Sequence, residues 1–193
     1  MVYPGEKPII EKSRGEIEQK LKGMGDYVKM NYLQRALKSP IDFDTKKFVL
    51  LRLAEVYEQS KMYLESGKMM KVAAEINTTF KDKIKDYLKA VDFYVRGGDY
   101  TEADRIFAQA LALGSDREKM ELKTALKNIY YNQAKVYSTA NKRNYAKKIY
   151  EKMLTMPELN VQEKKDVQGQ LMQLYEKLGM IREYYNLKRG LGY

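Results

Sequence analysis

Apolar residues recur at spacings of three and four along most of this chain, which is the pattern of helices with one buried face. The clearest stripe begins at Tyr87 and continues to Val95, where Arg96 and two glycines interrupt it. A second stripe runs from Ala103 to Leu113. Because two amphipathic helices joined by so short a turn lie antiparallel, this stretch predicts a helical hairpin.

The same hairpin pattern recurs on both sides of this stretch. Each copy has a tyrosine near the end of its first helix, followed by a second block of small and large apolar residues at helical spacing. These tyrosines are Tyr57, Tyr94, Tyr137 and Tyr175, separated by 37, 43 and 38 residues. Self-similarity at such periods is typical of proteins built from stacked helical repeats.

Helix start and stop signals predict ten helices in five hairpins. Capping residues place helix starts at Ser13, Asp26, Asp44, Thr79, Asp99, Ser115, Asn141 and Asn160. The predicted hairpins cover residues 11–38, 44–77, 79–114, 116–156 and 160–190. We expect residues 1–10, which include two prolines and a glycine, to form an extended arm. Residues 11–193 are then expected to form a single all-α domain, a curved rod with a concave face.

Two of the copies match each other at every spacing. The first has Leu53, Ala54, Tyr57, Tyr63, Ser66, Met70 and Ala73, and the second has Ala90, Val91, Tyr94, Tyr100, Ala103, Phe107 and Ala110. In this pattern the chain resembles the tetratricopeptide-repeat (TPR) family over roughly residues 44–190. The resemblance implies a right-handed α-α superhelix, a TPR-like solenoid. The alternative is a non-repetitive helical bundle in which the spacings agree by chance.

The chain departs from the family pattern in three respects, one of which is that the two best copies lack the family's proline after the second helix. Its period exceeds the family's usual length of about 34 residues, and it contains no tryptophan. Longer and less regular hairpins are similar to those of the divergent SNAP type, the vesicle-fusion adaptors.

The TPR resemblance also implies a binding role, because the first helix of each pair lines a concave groove that holds a segment of another protein. The candidate groove residues are Lys85, Leu88, Asp92, Arg96, Asn128, Tyr131, Asn132 and Lys135. Cations, amides and an aromatic ring suit an acidic or amphipathic segment. We therefore expect a protein-binding scaffold or adaptor.

Composition argues against catalysis. The sequence has no histidine and no cysteine, which removes the commonest general base, the commonest metal ligand and the thiol nucleophile. We expect no enzymatic activity, no metal, no cofactor and no small-molecule substrate. No apolar run approaches the roughly 18 residues needed to span a bilayer, and the first residues lack the apolar core of a signal peptide, so we expect a cytoplasmic protein.

The net charge of +10 is concentrated in one region. Between Leu122 and Tyr150 there is no acidic residue. The candidate basic strip in and around this window comprises Lys123, Lys127, Lys142, Arg143, Lys147 and Lys148. With the tyrosines of the same window, the strip favours binding to RNA or the ribosome as an alternative function. A solvated basic face would have the same composition, and an anionic membrane surface is a less favoured partner.

Overall fold

Ten α-helices make up residues 9–190, the part of the chain that the computed structural model describes. The first six are α1 (Arg14–Leu21), α2 (Asp26–Ala36), α3 (Phe43–Gln59), α4 (Tyr63–Glu75), α5 (Phe80–Gly97) and α6 (Tyr100–Leu113). The last four are α7 (Asp116–Thr139), α8 (Arg143–Leu154), α9 (Val161–Lys177) and α10 (Ile181–Gly190). Residues 9–190 contain no strand, so the predicted all-α class is confirmed. Most of the predicted arm lies outside the described residues.

The chain divides into two units, Met1–Ser115 and Asp116–Tyr193, and each is described by itself. In the first unit α1 and α2 both pack on α3, α3 packs on α4, α4 on α5 and α5 on α6. In the second unit α7 packs on α8, α8 on α9 and α9 on α10. This packing of neighbouring helices in pairs is what a helical repeat requires. The single domain predicted over residues 11–193 stays a prediction.

Small residues at the predicted positions allow the paired helices to approach closely. Ser66, Ala103 and Ala146 occupy the same place in three second helices, and each is completely buried. Larger apolar side chains fill the space between them, among them Val91 and Ile106 in the first unit. The buried side chains of the second unit include Tyr130, Ile149, Met153 and Leu171. The stripes read from the sequence are therefore the buried faces of the helices.

The same backbone turn follows the recurring tyrosine in all four hairpins. The carbonyls of Tyr57, Tyr94, Tyr137 and Tyr175 accept a hydrogen bond from the amide five residues later, at 2.8, 3.0, 2.8 and 2.8 Å. The residue before that amide is left-handed in every case: Lys61, Gly98, Asn141 and Gly179, with φ of 59°, 83°, 55° and 68°. This pair of features defines a Schellman turn, in which a left-handed residue closes the helix. The repeat thus has a physical basis in the turn as well as in the core.

The left-handed turn residue leads to a prediction about stability. Lys61 carries a Cβ in a conformation that costs L-residues roughly 1–2 kcal/mol. Lys61→Gly should therefore raise the free energy of unfolding by about 1 kcal/mol, measured by urea denaturation. Gly98→Ala is the matched control, because a Cβ there meets nothing within 4 Å and only the backbone conformation is strained. Gly98→Ala should lower the free energy of unfolding by about 1 kcal/mol. If both substitutions change the free energy of unfolding by the same small amount, this explanation is wrong.

Several predicted helix caps are confirmed and three are wrong. The side chains of Ser13, Thr79, Asp99 and Asn160 accept the expected backbone amide bonds. Helix α2 instead begins at Asp26 itself, after Gly25. In α3 the cap is Asp42, whose carboxylate accepts from the Thr45 amide at 2.8 Å, rather than Asp44. In α8 the cap is Lys142, because Asn141 occupies the left-handed turn.

No helix within residues 9–190 combines the length and apolar character needed to cross a membrane.

Candidate functional site

The eight predicted groove residues fall into two sets. Lys85, Leu88, Asp92 and Arg96 lie on α5 in the first unit, and Asn128, Tyr131, Asn132 and Lys135 lie on α7 in the second. The two sets differ in what already occupies their side chains.

The α5 set is engaged with the protein's own charges. The Arg96 guanidinium donates a hydrogen bond to Glu58 of α3, stacks 4.2 Å from the centre of the Tyr63 ring and lies 3.6 Å from Asp92. Lys89 Nζ lies 3.4 Å from Asp92 Oδ2 and 4.0 Å from Glu58 Oε1. Two cations and two carboxylates therefore neutralise each other across α3 and α5. The remaining members of the α5 set are Lys85, which is exposed, and Leu88, which is half-buried.

A pocket of about 280 Å³ lies on the first unit beside α1 and α3, which the sequence did not predict. Arg52 Nη2 lies 2.7 Å from Glu18 of α1, and Arg52 Nη1 lies 2.9 Å from Glu55. Leu21 and Val56 supply apolar surface to the same pocket. The pocket could hold one side chain with an apolar body. Its two walls come from residues 34 positions apart, so no local pattern signals it.

One member of the α7 set, Tyr131, contacts α9, as does the neighbouring Lys127. Lys127 Nζ forms a 2.7 Å ion pair with Glu163 of α9, and the Tyr131 hydroxyl donates to the Glu163 carbonyl at 3.5 Å. Glu163 also closes the N-terminal capping box of α9, accepting from the Asn160 amide at 2.8 Å. One residue therefore fixes both the start of α9 and the relation of α9 to α7.

Next to this contact, α7 carries a row of three exposed polar side chains, which we call the α7 row. Asn128, Asn132 and Lys135 are exposed and spaced by four and three residues, so they share one face of the helix. Within residues 9–190 none of the three side chains has a hydrogen bond or an ion pair. An asparagine amide both donates and accepts, as a peptide backbone does. The row therefore offers backbone recognition and, at Lys135, a positive charge.

The ion pair between Lys127 of α7 and Glu163 of α9 leads to a prediction about how stability depends on pH. The Lys127 ammonium and the Asn160 amide hold the pKa of Glu163 below its ordinary value of 4.5. The charged carboxylate therefore stabilises the fold above pH 4.5, and this contribution disappears as the pH falls through the lowered pKa. Glu163→Gln should cost about 0.5–1 kcal/mol at pH 7 and almost nothing at strongly acidic pH.

Thermal unfolding of both proteins across this pH range measures the difference. Glu176→Gln serves as the control, because Glu176 is exposed on α9 and no ion pair within residues 9–190 involves it. A stability difference between wild type and Glu163→Gln that does not change with pH would contradict the assignment.

The predicted basic strip is divided by the structure. Lys127 is paired with Glu163. Arg143 and Lys147 lie beside the turn between α9 and α10, where Arg143 donates to the Lys177 carbonyl at 3.4 Å and Lys147 Nζ is 3.6 Å from Met180 Sδ. Lys142 and Lys148 are exposed, and Lys123 is half-buried. The six residues therefore do not form one uniform set of free charges.

Comparison of the chain with protein-family models and with curated proteins finds no match.

Proposed function

We propose that this protein is a non-enzymatic interaction module that binds an extended, acidic segment of another protein along α7 of its second unit. The observation that carries the proposal is the row of Asn128, Asn132 and Lys135, which is exposed and has no bonding partner within residues 9–190. Asparagine amides one helical turn apart match the polar groups of an extended backbone. Lys135 then selects a carboxylate on the bound segment.

The first unit supports this assignment by contrast. Its predicted groove residues Asp92 and Arg96 already satisfy each other and Glu58, so a ligand there would have to displace existing ion pairs. The α7 row requires no such exchange. The Lys127–Glu163 pair fixes α7 against α9 before a ligand arrives, which lowers the entropy lost on binding.

We further propose that the fold is a divergent TPR-like repeat of the SNAP type. Neighbouring helices packed in pairs, each pair closed by the same turn, are compatible with a divergent TPR-like repeat of the SNAP type. A role as a cytoplasmic adaptor or scaffold follows from that likeness and from the sequence features above, and it is proposed on the same terms.

A peptide selection tests the proposed function. A display library of acidic peptides about ten residues long is selected against the full chain, and the best binder is measured by fluorescence anisotropy. Asn128→Ala combined with Asn132→Ala should weaken binding about tenfold, because two hydrogen bonds worth roughly 0.5–1.5 kcal/mol each are lost.

A matched pair of exposed amides serves as the control. Asn144→Ala combined with Gln173→Ala removes the same chemistry from α8 and α9 and should change the affinity less than about twofold. If no peptide is enriched, or if both double variants bind as the wild type does, the proposed function is wrong.

A further inference from the structure

The second helix of each repeated hairpin begins with the same layout, and one copy departs from it. Three copies have a glutamate three residues after the turn amide: Glu65, Glu102 and Glu183. The copy that begins α8 has Tyr145 at this position. Since all four turns share the same backbone hydrogen bonds, the difference lies in the side chains alone.

This exchange leaves the start of α8 with a net positive charge. Glu65 pairs with Lys68 at 2.7 Å, and Glu102 pairs with Arg105, so those helix starts are internally neutralised. The first turn of α8 contains no acidic residue. Lys142, Tyr145 and Lys148 follow one another at intervals of three residues along its exposed surface, and we call these three residues the α8 basic patch.

Tyr145 is the tyrosine of the acid-free window that presents its ring most fully to solvent. Its exposure is 56%, whereas Tyr130 and Tyr150 are buried and the Tyr131 hydroxyl contacts Glu163. The ring packs against Tyr137, with 5.2 Å between centroids, which restricts its orientation. Lys142 and Lys148 are exposed on either side of it in the sequence and have no ion pair within residues 9–190.

We propose that the α8 basic patch binds single-stranded RNA, with one base stacked on Tyr145 and the flanking phosphates on Lys142 and Lys148. A stacking ring between two free lysines is the combination that sequence-tolerant strand binding uses. The surrounding unit favours a polyanion, because residues 116–193 contain 16 Lys and Arg against 9 Asp and Glu. The patch contains none of the amides that make α7 suitable for a peptide backbone. The inference rests on different residues from the proposed function and can fail independently of it.

The test uses the full chain and a labelled single-stranded RNA of about 12 nucleotides, a length within the range that such surfaces cover. Tyr145→Ala should weaken binding about tenfold. Lys142→Glu combined with Lys148→Glu should weaken it further and should reduce the slope of log K against log salt by about 1.4, the value for two phosphates on a single strand. Circular dichroism and the melting temperature verify that each variant is folded.

Two control variants separate the patch from general charge. Lys81→Glu combined with Lys165→Glu makes the same change in net charge at exposed sites elsewhere, and Tyr27→Ala removes an exposed tyrosine from α2, 82% exposed. Both should bind RNA almost as well as the wild type. Loss of binding in the controls equal to that in the patch variants would overturn the proposal, and so would a wild type that does not bind RNA.

Polyglutamate, used as a competitor of the RNA, distinguishes an acidic protein segment from a nucleic acid. Polyglutamate binding that is unchanged by Tyr145→Ala agrees with the proposal. Polyglutamate binding that itself requires Tyr145 would instead identify an acidic protein segment as the ligand.

Discussion

Phe93→Ala should lower the free energy of unfolding by about 3–5 kcal/mol, the usual cost of removing a large buried aromatic side chain. Phe93 lies immediately before the repeated tyrosine Tyr94 and is 1% exposed. Its ring also has Lys89 Nζ 4.5 Å from its centre, so the substitution removes a cation–π contact as well as packing. Urea denaturation of the full chain, followed by circular dichroism, measures the loss.

The repeat supplies its own controls for this prediction. Val56 and Val136 occupy the position of Phe93 in two other hairpins, yet Val56 is 7% exposed and Val136 is 55% exposed. Val56→Ala should therefore cost about 1.5–2 kcal/mol, from the two methylene-sized groups that are lost, whereas Val136→Ala should cost less than about 0.5 kcal/mol. Equal costs for the two valines would mean that the packing described for one of these hairpins is wrong.

Gly67→Ala should destabilise the first unit by about 2 kcal/mol, although glycine to alanine inside a helix is normally favourable. A Cβ on Gly67 would lie 2.8 Å from an edge carbon of the Tyr94 ring, at the contact between α4 and α5. Tyr94 is 4% exposed, and burial raises the pKa of its hydroxyl to about 12. Because the ring is buried and lies this close to Gly67, the added methyl group overpacks the contact.

The same substitution in the second unit should have the opposite sign. Gly169 lies in the interior of α9, and a Cβ there meets nothing within 4 Å. Gly169→Ala should raise the free energy of unfolding by about 0.5–1 kcal/mol through helix propensity alone. Denaturation of both variants under one set of conditions checks the pair, and a stabilised Gly67→Ala protein would contradict the close approach of α4 and α5.

The sequence predicted those features that depend on neighbours within one or two helical turns. Spacings of three and four residues identified the buried faces, and the recurring tyrosine identified four copies of a turn whose hydrogen bonds the structure then revealed. The helix starts were harder to place, because Asp42 and Asp44 can both cap a helix and the sequence does not say which amide each reaches. Each such error moved a boundary by one or two residues and left the buried face unchanged.

The candidate site depended on partners that local patterns do not reveal. Arg96 was predicted as a cation of the groove, but it pairs with the carboxylate of Glu58, which is 38 residues away in the chain. Lys127 looked like part of a basic strip, but it pairs with Glu163 across 36 residues. Whether a charged side chain is available to bind a ligand depends on such distant partners. The sequence could therefore identify candidate cations but could not show which of them are already paired. Asn128 and Asn132 are exposed on α7, and their role in binding stays a proposal.

The most direct test of binding along α7 observes the side-chain amides of the asparagines themselves. Two-dimensional ¹⁵N NMR spectra of the full chain are recorded during titration with the acidic peptide obtained by selection. We predict that the side-chain NH₂ signals of Asn128 and Asn132 shift together with saturation at one affinity, while those of Asn144 on α8 stay in place. Shifts confined to residues of α5, or to α8 alone, would contradict recognition by the α7 row.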